Sequence, residues 1–309
     1  MSDLVTVPQL ERPTRLDHFL VGKLGPGWSR SAIQRATKQG GVLVNGKRVP
    51  VHHFLKTGEV ITLPESAPPR APQLAPNADV SYRLVSETPQ YLIIDKPTGL
   101  VVHPAPGVHE PTLVDGLLAR YPELTSVGED PIRPGIVHRL DREVSGLMVV
   151  ARTQDAYQHL KQQFQERAVQ KTYTALVIGR VLNPSGTINF PLARSRRQHG
   201  KIAARASGDE DTREAITHYT VKKTYQQATL LSVTLETGRT HQIRAHLAAL
   251  GYPIVGDTLY RPATLSFKAT PSRIFLHAGT LAFTDPVGQL QTFTSPLPKK
   301  LQDFLDSLS

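Results

Sequence analysis

The segment from Gly135 to Arg152 carries the densest set of groups that could do chemistry. Five of the six positions from 138 to 143 are ionisable, namely His138, Arg139, Asp141, Arg142 and Glu143. An uninterrupted apolar run, Leu147–Ala151, follows and predicts a strand buried on both faces. A polar loop that leads into such a strand is held by a rigid element, which is where reactive sites are usually built.

Two glycines, Gly135 and Gly146, bracket the polar segment. Glycine is favoured where a chain turns tightly or where another backbone approaches closely. An arginine and an aspartate two positions apart in a loop more often form a solvated ion pair. The glycines, and the mixture of an acid with several bases, favour a site that handles a polyanion beside a reactive carboxylate.

Four segments, in this order along the chain, resemble the signatures of the RluA family of pseudouridine synthases. They are Asp-Lys-Pro-x-Gly-Leu-Val-Val-His-Pro at 95–104, His-Arg-Leu-Asp with Ser-Gly-Leu at 138–147, Lys-Thr-Tyr-x-Ala at 171–175, and Leu-Glu-Thr-Gly-Arg-Thr-His-Gln-Ile-Arg-x-His at 235–246. The sequence departs from the family pattern at Val144, where Thr is usual, and at Arg261, where a Gly is common after Gly256-Asp257-x-x-Tyr260.

The resemblance implies an α+β fold, in which a mixed, largely antiparallel central sheet is flanked by helices. It also implies that the protein isomerises uridines of RNA to pseudouridine. That reaction involves no net redox change, so neither a cofactor nor a metal is expected. The target nucleotide must leave the base stack to be reached.

The resemblance assigns roles to four residues. Asp141 matches the carboxylate that attacks the glycosidic carbon or removes a neighbouring ribose proton, and both routes remain open. In an apolar pocket this group needs a cation to stay ionised, and Arg244 matches the family arginine that supplies it. Tyr173 matches the tyrosine that stacks on the uracil. Arg139 matches the residue that fills the gap left by the flipped base, and we expect His138 to contact RNA beside it.

The elements that must position these residues fall within 80–305, the predicted catalytic domain. Thr153 predicts the N-cap of a helix that carries Ala156, Leu160, Phe164 and Ala168. A strand is predicted over 171–178 with Tyr173 near its start. Thr237-Gly238 predicts a turn into a helix that carries Arg244 and ends at Gly251.

Residues 12–63 predict a separate module of two helices and a hairpin, whose turn is Asn45-Gly46. With Ser-Arg-Ser and Val-x-Val-Asn-Gly-Lys, this pattern resembles the S-four-type RNA-binding domain, a small α/β module. The resemblance makes RNA phosphate contact, rather than a solvated surface, the better interpretation of five basic residues. They are Arg30, Arg35, Lys38, Lys47 and Arg48. Five prolines within 64–79 predict an extended linker between the domains.

A charge-rich segment, 192–217, shows little periodicity. We interpret it as a mobile loop or a hairpin that could lie against RNA. A disordered, solvated insertion is an equally good interpretation.

Composition limits the class of protein. The chain has 309 residues, 36 Lys and Arg against 26 Asp and Glu, and no cysteine. A net charge of +10 suggests a polyanionic partner, most commonly nucleic acid. The absence of cysteine excludes disulfides and thiolate metal sites. No secretory signal and no membrane span are recognisable, so we expect a cytoplasmic monomer.

Large-subunit ribosomal RNA, or a pre-ribosomal particle, is the expected partner because of the N-terminal module. The alternatives are a transfer RNA pseudouridine synthase and a non-catalytic RNA-binding factor of ribosome assembly. The joint presence of Asp141, Tyr173 and Arg244 argues for an enzyme, because a pure binder has no need of all three.

Overall fold

A computed structural model of the chain divides it into two compact units, Met1–Gln73 and Leu74–Ser309, each with its own apolar core. The described residues are 4–10, 12–24, 28, 30–64, 74–105, 108–195, 201–205, 212–262, 267 and 271–308. In these ranges no helix is long and apolar enough to cross a bilayer.

The N-terminal unit is a small α/β domain. Its elements are β1 (Leu4–Thr6), β2 (Thr14–Arg15), α1 (Leu16–Val21), α2 (Arg30–Gln39), β3 (Leu43–Val44), β4 (Lys47–Arg48), β5 (Phe54–Leu55) and β6 (Val60–Thr62). An antiparallel sheet has the order β1-β6-β3-β4, and β2 pairs with β5. Asn45 and Gly46 have φ values of 50° and 71°, so the predicted hairpin turn is confirmed.

The larger unit is built on a nine-stranded sheet. Its strands are β7 (Arg83–Glu87), β8 (Tyr91–Lys96), β9 (Ser145–Ala151), β10 (Gln170–Ile178), β11 (Ser185–Ile188), β14 (Thr217–Thr224), β15 (Ala228–Leu235), β16 (Leu276–Thr284) and β17 (Leu290–Thr294), while β12 (Leu192–Arg194) and β13 (Ile202–Ala204) form a separate hairpin. The helices are α3 (Leu113–Arg120), α4 (Gln154–Gln165), α5 (Gln242–Ala249) and α6 (Lys299–Asp306), with a 3-10 helix at Pro122–Ser126.

The strand order is β11-β14-β15-β10-β16-β9-β8-β7, with β17 also paired to β16. Only the β9–β16 pair is parallel among these described strands. The predicted mixed, largely antiparallel sheet is therefore confirmed. All seven residues of β9 are buried, as the apolar run predicted. The polar loop thus enters an interior strand of the sheet and is anchored there.

The helix after Thr153 begins where the sequence predicted and ends earlier. The Thr153 hydroxyl accepts a hydrogen bond from the Ala156 N–H at 3.2 Å, which confirms the cap. Ala168 was expected on this helix but lies beyond its end, because Arg167 adopts a left-handed φ of 61°. The helix that carries Arg244 ends close to Gly251, which has a φ of 91°.

The structure describes part of two segments that the sequence left irregular. The antiparallel pair of β12 and β13 lies in the first half of 192–217. Residues 196–200 and 206–211 lie outside the described residues, as do 65–73 of the predicted linker. After that gap, the Ala75 N–H donates to the Asp115 carboxylate and the Asn77 N–H to its carbonyl oxygen. Residues 75–77 therefore lie against α3.

Candidate active site

Two glycines fix the ends of the polar loop. Gly135 and Gly146 have φ values of 69° and 127°, which residues other than glycine rarely adopt. A Cβ on Gly135 would lie 2.5 Å from the carbonyl oxygen of Ala151, and one on Gly146 would lie 2.6 Å from the backbone nitrogen of Ala278. The predicted close approach of another backbone is confirmed at both positions.

A buried lysine ties the polar loop to the neighbouring strand. Lys96, at the end of β8, donates to the carbonyl oxygens of Pro97 at 2.9 Å, Leu100 at 2.8 Å and Arg142 at 3.2 Å. Burial lowers the pKa of Lys96 to about 7. The three carbonyls act in the opposite direction because they accept bonds from the ammonium form. Sequence reasoning quoted the Asp-Lys-Pro segment without giving it this anchoring role.

The Asp141 carboxylate lies at the centre of the candidate site and is loosely held. It accepts no hydrogen bond from any residue that the structure describes. Its nearest cation is Arg244, whose Nη1 lies 3.6 Å from Oδ2, and the Nε2 of His241 lies 3.9 Å from the same oxygen. Asp141, Arg244 and Tyr173 line one cavity of about 590 Å³. The structure thus brings together the three residues expected to carry the chemistry.

Arg244 is held mainly by an acid that sequence reasoning did not single out. Its Nε donates to Oδ2 of Asp257 at 2.7 Å and its Nη2 to Oδ1 at 3.0 Å, and both side chains are buried. Burial opposes the charge, but the bonds and the charge of Asp257 raise the pKa of Arg244 above its ordinary value. The expected pairing with Asp141 is therefore the longer, secondary contact. Asp257 lies in the Gly256-Asp257-x-x-Tyr260 pattern, which was the available signal.

Tyr173 lies on β10 where the register against β16 shifts between Thr172 and Tyr173. Such irregularities re-aim a side chain and are frequent beside active sites. Burial and the charge of Asp141 raise the pKa of Tyr173 above its ordinary value. The hydroxyl of Tyr173 therefore remains protonated near neutral pH.

His241 is a second residue that sequence reasoning missed. It caps α5 with a left-handed φ of 54°. The Tyr260 hydroxyl accepts from the Ile202 N–H at 2.9 Å and lies 3.1 Å from Nδ1 of His241. When the hydroxyl donates its own proton to Nδ1, the ring proton of a neutral His241 lies on Nε2, which faces Asp141. Burial lowers the pKa of His241, which favours this neutral form.

His138 and Arg139 occupy different parts of the site. The Nε2 of His138 accepts a hydrogen bond from the Val149 N–H at 3.0 Å, and its ring stacks on Phe164. Burial lowers the pKa of His138 to about 3, so its uncharged ring forms part of the cavity wall. Its contact with RNA remains a prediction. Arg139 is exposed, and its Nη2 donates to the Thr240 hydroxyl at 2.7 Å.

The five basic residues predicted to contact RNA from the N-terminal unit are in different settings. Arg30 donates to the buried carboxylate of Asp17 at 3.0 Å, so part of its charge stabilises the unit. Arg35 is partly buried, whereas Lys38, Lys47 and Arg48 are exposed. The Arg48 guanidinium lies over Gly40, which has no side chain to obstruct it. Their contact with phosphate stays a prediction.

The described residues contain no group of three or more His, Asp or Glu side chains that could hold a metal ion. The chemical groups that this site offers are a carboxylate short of hydrogen bonds, a fixed guanidinium, a protonated phenol and a neutral imidazole.

Comparisons with known proteins point to one family of enzymes. A family model described as RNA pseudouridylate synthase matches residues 90–249, and the S4 domain model matches residues 14–61. A protein of Chloroflexus aurantiacus named as an uncharacterized RNA pseudouridine synthase is 45% identical over 99% of this chain and 93% of its own length. The ribosomal large subunit pseudouridine synthase D of Xanthomonas campestris is 38% identical over 98% of this chain and 91% of its own length.

A solved structure, human RNA pseudouridylate synthase domain containing 4, superposes with a TM-score of 0.59 at 25% identity, over 73% of this chain and 92% of its own. The family model spans Asp141, Tyr173 and Arg244. This chain therefore belongs to the RluA family of RNA pseudouridine synthases, which are isomerases, and carries an S4 domain before its catalytic part.

Proposed function

We propose that this enzyme converts specific uridines of large-subunit ribosomal RNA to pseudouridine, with Asp141 as the reacting carboxylate. The observation that carries the proposal is the shared cavity of about 590 Å³ lined by Asp141, Tyr173 and Arg244. Its volume lies within the usual range for small-ligand sites. Ribosomal RNA is favoured because the relative from Xanthomonas campestris is named as a ribosomal large subunit enzyme.

The contacts support a division of roles. Asp141 has free lone pairs and acts at the ribose, either on the glycosidic carbon or on a neighbouring proton. Arg244, fixed by Asp257, keeps a cation beside that carboxylate. Tyr173 stacks on the uracil and keeps its hydroxyl proton available. The bond from N1 of the uracil to C1′ of the ribose breaks and a bond from C5 to C1′ forms. The proton of C5 leaves and N1 takes up a proton, so the product is an isomer of uridine.

The depth of the site supports base flipping. Tyr173 is 7% exposed and Arg244 is 4% exposed, so a base inside a helical stack cannot reach either. The nucleotide must be extruded into the cavity. Arg139, which lines the cavity but is exposed, is placed to fill the vacated position. Arg139→Ala should then slow conversion more in duplex RNA than in an unstructured strand, and equal losses would contradict this role.

The N-terminal unit supplies additional RNA contact in this proposal. Residues 12–63 are the RNA-binding domain, 64–79 the linker and 80–305 the catalytic domain. Lys38, Lys47 and Arg48 are the exposed cations best placed to meet phosphates. Their joint replacement by alanine should flatten the dependence of binding on salt, whereas an unchanged salt slope would contradict their role.

The decisive experiment maps pseudouridines in ribosomal and transfer RNA from cells that lack the gene. The cells are complemented with the wild-type enzyme or with Asp141→Asn. We expect specific large-subunit positions to lose pseudouridine, and only the wild-type enzyme to restore them. Loss confined to transfer RNA would favour that alternative substrate. Restoration by Asp141→Asn would overturn the role of Asp141.

A further inference from the structure

Lys171 is a cation in the wall of the cavity that has no anionic partner. Among the described residues, no carboxylate lies within ion-pairing distance of its Nζ and no acceptor within hydrogen-bonding distance. Its Nζ lies over the ring of Phe164, 5.2 Å from the centroid. Burial lowers the pKa of Lys171 to about 8, so the amine is still mainly charged at neutral pH. A desolvated charge without a partner is unfavourable in the free enzyme.

Four other cations of the same wall are paired with carboxylates, while the exposed Arg139 and Arg239 donate to the Thr240 hydroxyl and the Glu214 carbonyl oxygen. The pairs are Arg133 with Asp130, Lys161 with Glu129, Arg167 with Glu214, and Arg244 with Asp257. Lys171 therefore differs from these neighbours, because its ammonium has no hydrogen-bond acceptor within the described residues. An anionic group of a bound ligand could pair with it.

The position of Lys171 indicates which group would meet it. It lies two residues before Tyr173 on β10, and both line the cavity. Two residues of a strand span about 6.6 Å, which suits a nucleotide that places its base at one and its phosphate at the other. Gly238 also lines the cavity, and a Cβ added there would lie 3.7 Å from Nζ, so this glycine leaves space beside the ammonium.

We propose that Lys171 binds a phosphodiester oxygen next to the uridine that stacks on Tyr173. The phosphodiester is the anionic group that RNA carries at every nucleotide, and binding it would compensate the unpaired charge. This inference rests on the proposed placement of the uridine at Tyr173. It adds a subsite that fixes the backbone of the flipped nucleotide while Asp141 acts on its ribose.

The test uses the full-length enzyme and two substitutions, Lys171→Met and Lys171→Arg. Lys299→Met is the matched control because Lys299 is paired with Asp303 and does not line the cavity. The substrate is a synthetic RNA hairpin containing a uridine that the wild-type enzyme converts. Two further hairpins carry a neutral methylphosphonate in place of the phosphodiester on the 5′ or the 3′ side of that uridine.

We expect Lys171→Met to lower single-turnover kcat/KM on the unmodified hairpin by about tenfold or more, as for a lost charge-assisted hydrogen bond. One methylphosphonate should lower the wild-type value by a similar factor and leave Lys171→Met with no further loss. Lys171→Arg should recover most of the rate, and Lys299→Met should retain the wild-type rate. If each methylphosphonate lowers kcat/KM of Lys171→Met by the same factor as that of the wild-type enzyme, the proposal is overturned.

Two measurements that need no turnover complete the test. Lys171→Met should reduce the slope of log affinity against log salt by about 0.7 to 0.9 for binding to the unmodified hairpin. Its urea midpoint should equal or exceed that of the wild-type enzyme, because an unpaired charge has been removed. An unchanged slope, or a lower midpoint, would overturn the proposal. If the wild-type enzyme converts no RNA, the proposed function is contradicted. The salt slope and the urea midpoint would still test the role of Lys171.

Discussion

Asp17 in the N-terminal unit and Asp141 in the catalytic unit both lie beside arginines, yet they are held in opposite ways. Asp17 accepts hydrogen bonds at 2.7 to 3.0 Å from three side chains, Arg15, Arg30 and Gln34. Asp141 accepts none from the described residues, and its nearest cation lies 3.6 Å away. A carboxylate saturated with donors stabilises its surroundings, whereas one left short of donors keeps lone pairs for a substrate.

Asp257 completes this comparison inside the catalytic unit. It accepts two bonds from Arg244 and one each from the backbone N–H groups of Leu259 and Tyr260. Like Asp17, Asp257 accepts several hydrogen bonds, although it approaches the same arginine as Asp141 does. The unit therefore assigns the task of holding the arginine to one acid and leaves the other acid free.

The largest effect should come from Asp141→Asn. This change keeps the shape and removes the charge, so we expect turnover to fall by a factor of about 10⁴, the scale seen when a reacting group is removed. Stability should change by less than about 1 kcal/mol, because Asp141 makes no hydrogen bond that would be lost. Single-turnover pseudouridine formation and urea unfolding measure the two quantities. A large loss of stability with normal turnover would show that Asp141 is a structural carboxylate, as Asp17 is.

Asp257→Asn should have the next largest effect. It leaves the buried Arg244 without its partner, which typically costs about 3 to 5 kcal/mol. We expect the urea midpoint of the catalytic unit to fall and turnover to fall with it. The control is Glu143→Gln, because Glu143 also approaches Arg244, at 3.3 Å, but is half exposed. A similar stability loss in both variants would show that Asp257 is not the main support.

Asp17→Asn should destabilise only the N-terminal unit, by about 1 to 3 kcal/mol, as for hydrogen bonds to a charged group. The cost is smaller than at Asp257 because Arg15 and Arg30 are partly exposed to water. Trp28 is the single tryptophan of the chain and packs against the core of this unit, so its fluorescence reports this unfolding. Unfolding of the catalytic unit, followed by circular dichroism, should not change.

Acid should affect the same unit. Burial raises the pKa of Asp17, but hydrogen bonds from Arg15, Gln34 and Arg30 lower it more, to well below its usual 3.8. A lowered pKa contributes stability that is present above pH 3.8 and is lost as the pH falls through the folded value. Trp28 fluorescence should therefore show destabilisation below about pH 4 that is weaker in Asp17→Asn. Equal acid sensitivity in both proteins would exclude Asp17 as the cause.

Tyr260→Phe should have the smallest effect on the site. The ring remains under Arg244, at 5.2 Å, but the hydroxyl that orients His241 is lost. We expect about a threefold to tenfold loss of kcat/KM, consistent with losing one hydrogen bond. Leu259→Met serves as a neighbouring control. An unchanged rate would show that the orientation of His241 does not matter to Asp141.

The features that the sequence predicted well are local or periodic. The apolar run of β9, the Asn45-Gly46 turn and the Thr153 cap each follow from adjacent residues. The grouping of Asp141, Tyr173 and Arg244 followed from the family resemblance, and the structure places all three on one cavity.

The features that the sequence did not predict depend on long-range contact. Asp257 is 13 positions from Arg244, and Arg30 is 13 positions from Asp17, in each case with a turn of the chain between them. No periodic pattern links such pairs. The left-handed conformation of His241 and the carbonyl cage around Lys96 likewise arise from tertiary packing.

The two glycines that fix the polar loop have a consequence for genetic suppression. An alanine at Gly146 would collide with the main chain of Ala278, and no side-chain replacement can remove main-chain atoms. Gly186 is also crowded, but the atoms nearest to an added Cβ there belong to the ring and hydroxyl of Tyr219. A screen for revertants of Gly186→Ala should therefore recover second-site changes of Tyr219 to smaller residues. The same screen with Gly146→Ala should recover only reversion of residue 146 to glycine.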